Sequence, residues 1–237
     1  MLRLTLVDTD AYKFCVSFEN NIYTVKVSQE YQYWFYAVFD LISFFTTDEV
    51  EIEIPPDTLD YARSLYIGHS YDERVLREYE PPVLVHSTTK ENLCGILKDG
   101  SIKSWNVLKQ ENSYFENIPI GALLGDIPDF SNYVMLSDFK ENNEIVILSK
   151  QKKCILSDIN QQYCAGARFY LNAKKLAEDG LLVRDGIHLK VFGKIDLGNY
   201  LICYTTPEIL EINEITTPKL FFQRSNAYFK RLYREYL

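Results

Sequence analysis

Apolar and polar positions alternate over residues 2–7, 12–18 and 22–27, the period-two signature of half-buried strands, and the polar Glu19-Asn20-Asn21 supplies a tight turn before the third. The pattern predicts a β-hairpin or meander. Ser28 stands where a helix cap would precede residues 29–45, in which Tyr31, Trp34, Phe35, Val38, Phe39, Leu41, Ile42 and Phe45 make more than one face apolar, as in a core helix. Residues 50–54 alternate with glutamates and stop at Pro55-Pro56, and Asp57 or Thr58 opens a further helix to about Tyr66. A second proline pair, Pro81-Pro82, stands directly before the apolar run Val83-Leu84-Val85. It divides the chain into a β-rich accessory domain with one aromatic helix, residues 1–80, and a second domain over residues 83–237.

Beyond that boundary the period changes. Val83-Leu84-Val85 reads as a strand, and TKENLCGILKDG as a helix with Thr88 or Thr89 as its cap and Gly100 as its terminator. Residues 106–128 have no strong period and read as a long functional or covering loop. Strands are expected at residues 133–136, 144–148, 168–171, 188–191 and 200–204, with a short helix at 173–178. Helices and strands mix without a βαβ rhythm, so the fold class is α+β. Residues 220–237 read as an amphipathic basic helix, with Phe222, Ala227, Phe229, Leu232 and Tyr233 interleaved among Arg224, Lys230, Arg231 and Arg234.

Composition narrows the function classes. Of a net charge of −8, residues 1–80 carry −9, residues 81–220 carry −2 and residues 221–237 carry +3. An acidic front half is a poor general surface for nucleic acid, since phosphates need clustered cations. No stretch nears the roughly 18 apolar residues of a membrane span, and acidic residues stand in MLRLTLVDTD where a signal peptide would be apolar. The expected location is the cytoplasm, without membrane contact. Five cysteines with no CxxC pair suggest buried free thiols and no metal site.

Candidate chemistry begins at Leu84-Val85-His86-Ser87-Thr88-Thr89. A histidine at the end of a buried strand, with hydroxyls beside it and a helix opening at once, surrounds one pocket edge with polar groups suited to a ribose or a phosphate. The same residues also suit a hydrogen-bonded structural histidine followed by a cap. VLVHSTTKENLCGILKDGSI resembles the opening strand and helix of the ADP-ribosyltransferase superfamily, in which the histidine binds a ribose hydroxyl of NAD. FSNYVMLSD and KKCILSDINQQYCAGARFY resemble later blocks of DarT-type DNA ADP-ribosyltransferases, and ARFYLNAKKLAEDGLLVRDG also resembles RNA 2'-phosphotransferases.

The resemblance implies split mixed β-sheets with flanking helices and an NAD-dependent transferase. Such an enzyme cleaves the nicotinamide glycosidic bond and passes ADP-ribose to a nucleic-acid or protein acceptor. His86, Arg168, Arg184 and Asn199 would hold the catalytic positions, and His86, Ser87, Thr88, Tyr133 and Tyr170 would line the NAD site. Asn199 stands where the family carries a glutamate, and no arginine lies between Arg77 and Arg168, leaving Lys103 or Lys109 as replacement cations. A carboxylate offsets the positive charge of the departing-nicotinamide transition state and an amide does not. A catalytically inactive module that binds NAD, ADP-ribose or a partner on the same fold is therefore the alternative.

Overall fold

The computed structural model describes residues 1–45, 50–68, 72–111, 127–140 and 142–237. The chain forms two units, one from Met1–Glu73, Gly125–Ile127 and Val183–Leu189, the other from Arg74–Leu124, Pro128–Leu182 and Lys190–Leu237.

In the first unit β1 (Leu2–Val7), β2 (Phe14–Glu19), β3 (Ile22–Ser28) and β4 (Val50–Glu53) make one sheet in the order β2-β3-β1-β4. Asn20 and Asn21 join β2 to β3 with φ of 51° and 62°, the left-handed pair that a two-residue hairpin needs and asparagine tolerates. Of the expected hairpin or meander the β2–β3 hairpin is formed and the meander is not, because β1 pairs parallel with both β3 and β4. A parallel return needs a crossover, and α1 (Trp34–Phe44) lies in the connection from β3 to β4. Leu2, Leu4, Tyr23, Val25 and Val27 are buried on one face of the sheet, while Arg3 and Thr5 on the other bond Glu51 and Glu53 at 2.9 and 2.8 Å. α1 starts at Trp34 rather than at Gln29. The Ser28 hydroxyl is engaged elsewhere, donating to the Thr9 carbonyl and accepting from the Glu30 N–H, so it closes a strand end instead of capping a helix. α2 (Pro56–Gly68) follows β4 as the proline pair predicts.

The second unit opens with β5 (Val83–Thr88) and α3 (Lys90–Asp99), which has Thr89 as N-cap and ends on Gly100 at φ 63°, where the missing Cβ makes the left-handed turn inexpensive. Then come β6 (Ser101–Lys103), α4 (Trp105–Glu111), β7 (Tyr133–Leu136) and α5 (Asn142–Lys152). After these the chain forms β8 (Tyr163–Cys164), β9 (Ala167–Asn172) and α6 (Ala173–Glu178), and Asn172 caps α6 through the Lys175 N–H at 3.0 Å. β10 (Leu182–Arg184) falls mostly in the first unit, and β11 (Leu189–Phe192), β12 (Lys194–Asp196), α7 (Leu197–Tyr200), β13 (Leu201–Thr205), β14 (Ile215–Thr216) and α8 (Pro218–Leu232) complete the second. The central sheet is antiparallel, with β9 between β5 and β13, and β7 is tied to β5 by reciprocal Val85–Ser137 bonds of 2.8 and 3.0 Å. The architecture is α+β, assembled from several small sheets and intervening helices.

Four local expectations are corrected. Residues 144–148 are not a strand but the middle of α5, because Glu144, Ile147, Leu148 and Gln151 share one helical face and the first three are buried. Residues 106–111 belong to α4; most of the remaining expected loop, 112–126, lies outside the described residues. The C-terminal helix buries Phe221, Ser225 and Phe229, a four-residue repeat shifted from the expected face, and leaves Arg224, Lys230 and Arg231 exposed. Of the five free cysteines only Cys203 is buried; Cys15, Cys94 and Cys154 are exposed, and α3, which carries Cys94, has no fully buried residue. No helix among the described residues is long and apolar enough to cross a membrane.

Candidate functional site

Side chains alternate between the faces of a strand, and in an antiparallel pair directly opposed residues share a face. In β5 and β9 His86 stands opposite Phe169, and Ser87 opposite Arg168. His86 and Arg168 therefore project from opposite faces of the central sheet. The nucleotide-sized hollow shared by these two side chains, which the sequence suggested, is not formed.

On the Ser87 face lies a buried polar network. Glu144 of α5, 1% exposed, accepts from Ser87 Oγ at 2.5 Å and from Arg168 Nη1 at 3.2 Å through one oxygen, and from the Tyr163 hydroxyl at 2.6 Å through the other. The Arg168 side chain is fully enclosed, its Nη2 donates to the Lys140 carbonyl at 3.1 Å, and its Nε has no partner. Burial above all, and then the adjoining Glu144 carboxylate, raise the Tyr163 pKa far above the ordinary phenol range, so Tyr163 remains a donor. Tyr170 belongs to the same enclosed face. It packs with Val83, Val85, Cys203 and Phe229 and bonds Asn226 at 2.9 Å, which places it in the core and not on a pocket wall.

The other face presents His86, half-buried within β5, two residues before the strand ends at Thr88. Its Nδ1 lies 3.1 Å from the Met135 carbonyl oxygen. A carbonyl only accepts, so Nδ1 carries the proton and Nε2 is left as an acceptor without a hydrogen bond among the described residues. Burial lowers the histidine's pKa, the Met135 carbonyl opposes this in part, and the nearby Lys150 ammonium lowers it further. The imidazole is thus neutral near pH 7. Thr88, also on this face, is 5% exposed and accepts from Asn92 at 3.3 Å.

Around the start of α3 the charges are arranged in a chain. Lys90 bonds Glu214 at 2.6 Å, the same carboxylate accepts from the Cys164 thiol at 2.9 Å, and Gln151 of α5 holds the Cys164 backbone by two bonds of 2.7 and 3.0 Å. Desolvation first, then Glu214, push the Cys164 thiol up to about 11. Lys150 is half-buried in the last turn of α5, and burial lowers its pKa while Glu91 opposes that shift.

The other anticipated residues are dispersed. Tyr133 is half-buried, meets Phe192 edge-on at 5.4 Å between ring centres, and has Lys190 4.7 Å from its own. Asn199 lies on α7, ahead of the strand, with its backbone N–H on Asp196 at 3.0 Å. Lys103 is paired with Asp99 and Glu111 at 2.7 and 2.5 Å, and Lys109 sits 4.9 Å from the Trp105 ring centre. Arg184 and His188 belong to the first unit. There Arg184 donates to the Glu73 carbonyl at 3.0 Å, and His188 Nδ1 lies 3.2 Å from the buried Asp185 carboxylate. Glu144, Tyr163 and Lys150 were not anticipated. The spacing of Glu144, Ile147, Leu148 and Gln151 was the available signal for the helix that carries two of them. No family model, curated protein or solved structure matches this chain.

Proposed function

We propose that the second unit binds NAD or ADP-ribose at the His86 end of β5, as a nucleotide-binding module of the ADP-ribosyltransferase type. The observation that supports it is the imidazole: half-buried, neutral, with Nδ1 fixed on Met135 and Nε2 turned to accept. A ribose hydroxyl is a donor of matching chemistry, and a preset tautomer avoids an ordering cost on binding.

Binding without rapid turnover is the form of the proposal that the geometry favours. Scission of a nicotinamide glycosidic bond develops positive charge on the ribose, and a carboxylate on the late strand would offset it. β13, LICYT, carries none, and Asn199 precedes it on α7. Arg168, fully buried and paired with Glu144, cannot reach a ligand without breaking the core.

Calorimetry with NAD and with ADP-ribose tests this, together with His86→Ala. Loss of one hydrogen bond of about 0.5–1.5 kcal/mol should weaken binding roughly 2- to 13-fold. Absence of binding to the unmodified protein would refute the proposal. Release of nicotinamide at enzymatic rates would restore the transferase and require a carboxylate from outside β13.

A further inference from the structure

We propose that β2 is a dimerisation strand: its free edge pairs antiparallel with β2 of a second copy of this chain, about a two-fold axis at Val16. Three features of the sheet support it.

The first is which edge is left open. β2 and β4 are the outer strands of the β2-β3-β1-β4 sheet. β4 is four residues long, carries Glu51 and Glu53 and runs into Pro55-Pro56, devices that keep an edge from pairing. β2 is six residues long, pairs with β3 without a bulge, and holds neither proline nor charge before its last residue. The Lys13 carbonyl accepts from the Ser28 N–H at 3.0 Å across the hairpin. Bonded pairs alternate along an antiparallel ladder, so Cys15, Ser17 and Glu19 also turn their backbone groups to β3, and Phe14, Val16 and Phe18 turn theirs outward. Those outward groups have no hydrogen-bond partner among the described residues.

The second is an apolar row that runs out of cover. Phe14, Val16 and Phe18 stand opposite Val27, Val25 and Tyr23, and so share the buried face of the sheet. Val27, Val25 and Tyr23 are buried, whereas Phe14 and Phe18 are half-buried and Val16 is 44% exposed. A further strand beside β2 would continue the row and remove apolar surface from water.

The third is self-complementarity, which selects a second copy as the partner. Pairing about a two-fold axis requires a strand that matches its own reverse. With Val16 opposite the partner's Val16, Phe14 meets the partner's Phe18, Cys15 the partner's Ser17, and Lys13 the partner's Glu19. The residues whose backbone groups point outward then face one another throughout, and each such pair exchanges two hydrogen bonds. A one-residue slip would set outward groups against inward ones. Lys13, set over the Tyr31 ring, and Glu19 have no ion pair among the described residues, and this register closes both ends of the pairing with opposite charges.

Sedimentation equilibrium over a concentration series tests this on the full chain and on Val16→Lys, Lys13→Glu, Glu19→Lys and the double reversal, with circular dichroism to verify the fold. The unmodified chain should form a reversible dimer. Val16→Lys sets two ammonium groups opposite each other on the axis and should raise the dissociation constant by about tenfold or more. Each single reversal should weaken the dimer several-fold at low salt, and the double reversal should restore it. The Cys15 and Ser17 positions form a non-bonded pair with Cα atoms about 4.5 Å apart, within disulfide reach. Oxidised glutathione should therefore link Cys15 to the thiol introduced by Ser17→Cys. Cys15 and the partner's Cys15 are diagonal, roughly 7–8 Å apart, and should not link. A monomer at every concentration overturns the proposal, as does a dimer that a folded Val16→Lys leaves unchanged. Should Val16→Lys unfold, failure of the double reversal to restore what the single ones lose overturns it instead. Cross-links between other positions overturn the register.

Discussion

Arg168→Met separates the buried ion pair from everything around it. The substitution keeps a long side chain in a site with 0% exposure and removes only the charge and the donors. What remains is the Glu144 carboxylate, 1% exposed, with its bonds from Ser87 and Tyr163 intact and no cation. Breaking a buried pair from one side costs about 3–5 kcal/mol, because the other charge stays desolvated. The two surviving hydrogen bonds to the carboxylate place the expectation near the lower end, about 3 kcal/mol. For a chain of this size that is roughly a 6–12 °C fall in Tm. Glu144→Leu should cost a similar amount, since it strands Arg168 and removes the acceptor of two hydroxyls. The double variant should cost less than the two singles together by about 2 kcal/mol or more, the coupling expected of residues in direct contact. Urea unfolding of the four proteins, followed by far-ultraviolet circular dichroism, measures the cycle. A cost below about 1 kcal/mol for Arg168→Met, or additive singles, would show that the pair is solvated and would refute its placement in the core.

Three further predictions follow from local geometry. A Cβ on Gly166 would lie 2.1 Å from the Thr88 carbonyl oxygen and 2.7 Å from the Lys90 nitrogen, both backbone atoms, so Gly166→Ala must push β5 and α3 away from the following strand; it should cost at least about 2 kcal/mol by urea denaturation, and a neutral result would refute the close approach. His86 has its folded pKa below the unfolded value of about 6.5, so the unfolded chain binds the extra proton, and the stability present above that value declines as pH falls through it towards the lower folded value. His86→Gln should flatten that part of the urea-midpoint profile between pH 7.5 and 5, and identical profiles would contradict the assigned burial. With a disulfide reagent at pH 8, three thiols, Cys15, Cys94 and Cys154, should react promptly, whereas Cys164, pushed up to about 11, and Cys203, pushed up to about 12 by burial, should lag until denaturant is added; five equal rates would contradict the exposures.

Local chemistry was legible wherever a residue's conformation depends on its immediate neighbours. The Asn20-Asn21 hairpin turn, the Thr89 and Gly100 ends of α3 and the extent of α6 followed from turn, cap and propensity rules, and the mixed order of elements gave the α+β class. Long-range pairing was not legible. Nothing in the spacing of β1 to β3 distinguishes a meander from a parallel crossover, because that choice turns on how the apolar side of α1 is covered after the chain has folded back. The apolar run Ile145-Val146-Ile147-Leu148 suited strand and helix alike until Glu144 found Ser87, Tyr163 and Arg168. The site followed the same division. Sequence marked His86 as a polar group at the end of a buried strand; the strand is buried, but it runs on through Ser87 and Thr88, so His86 lies within it. Only the register of β5 against β9 decided that Arg168 would face the other way, since a one-residue difference along a strand is a change of sheet face and no linear pattern fixes which residues of distant strands stand opposite one another.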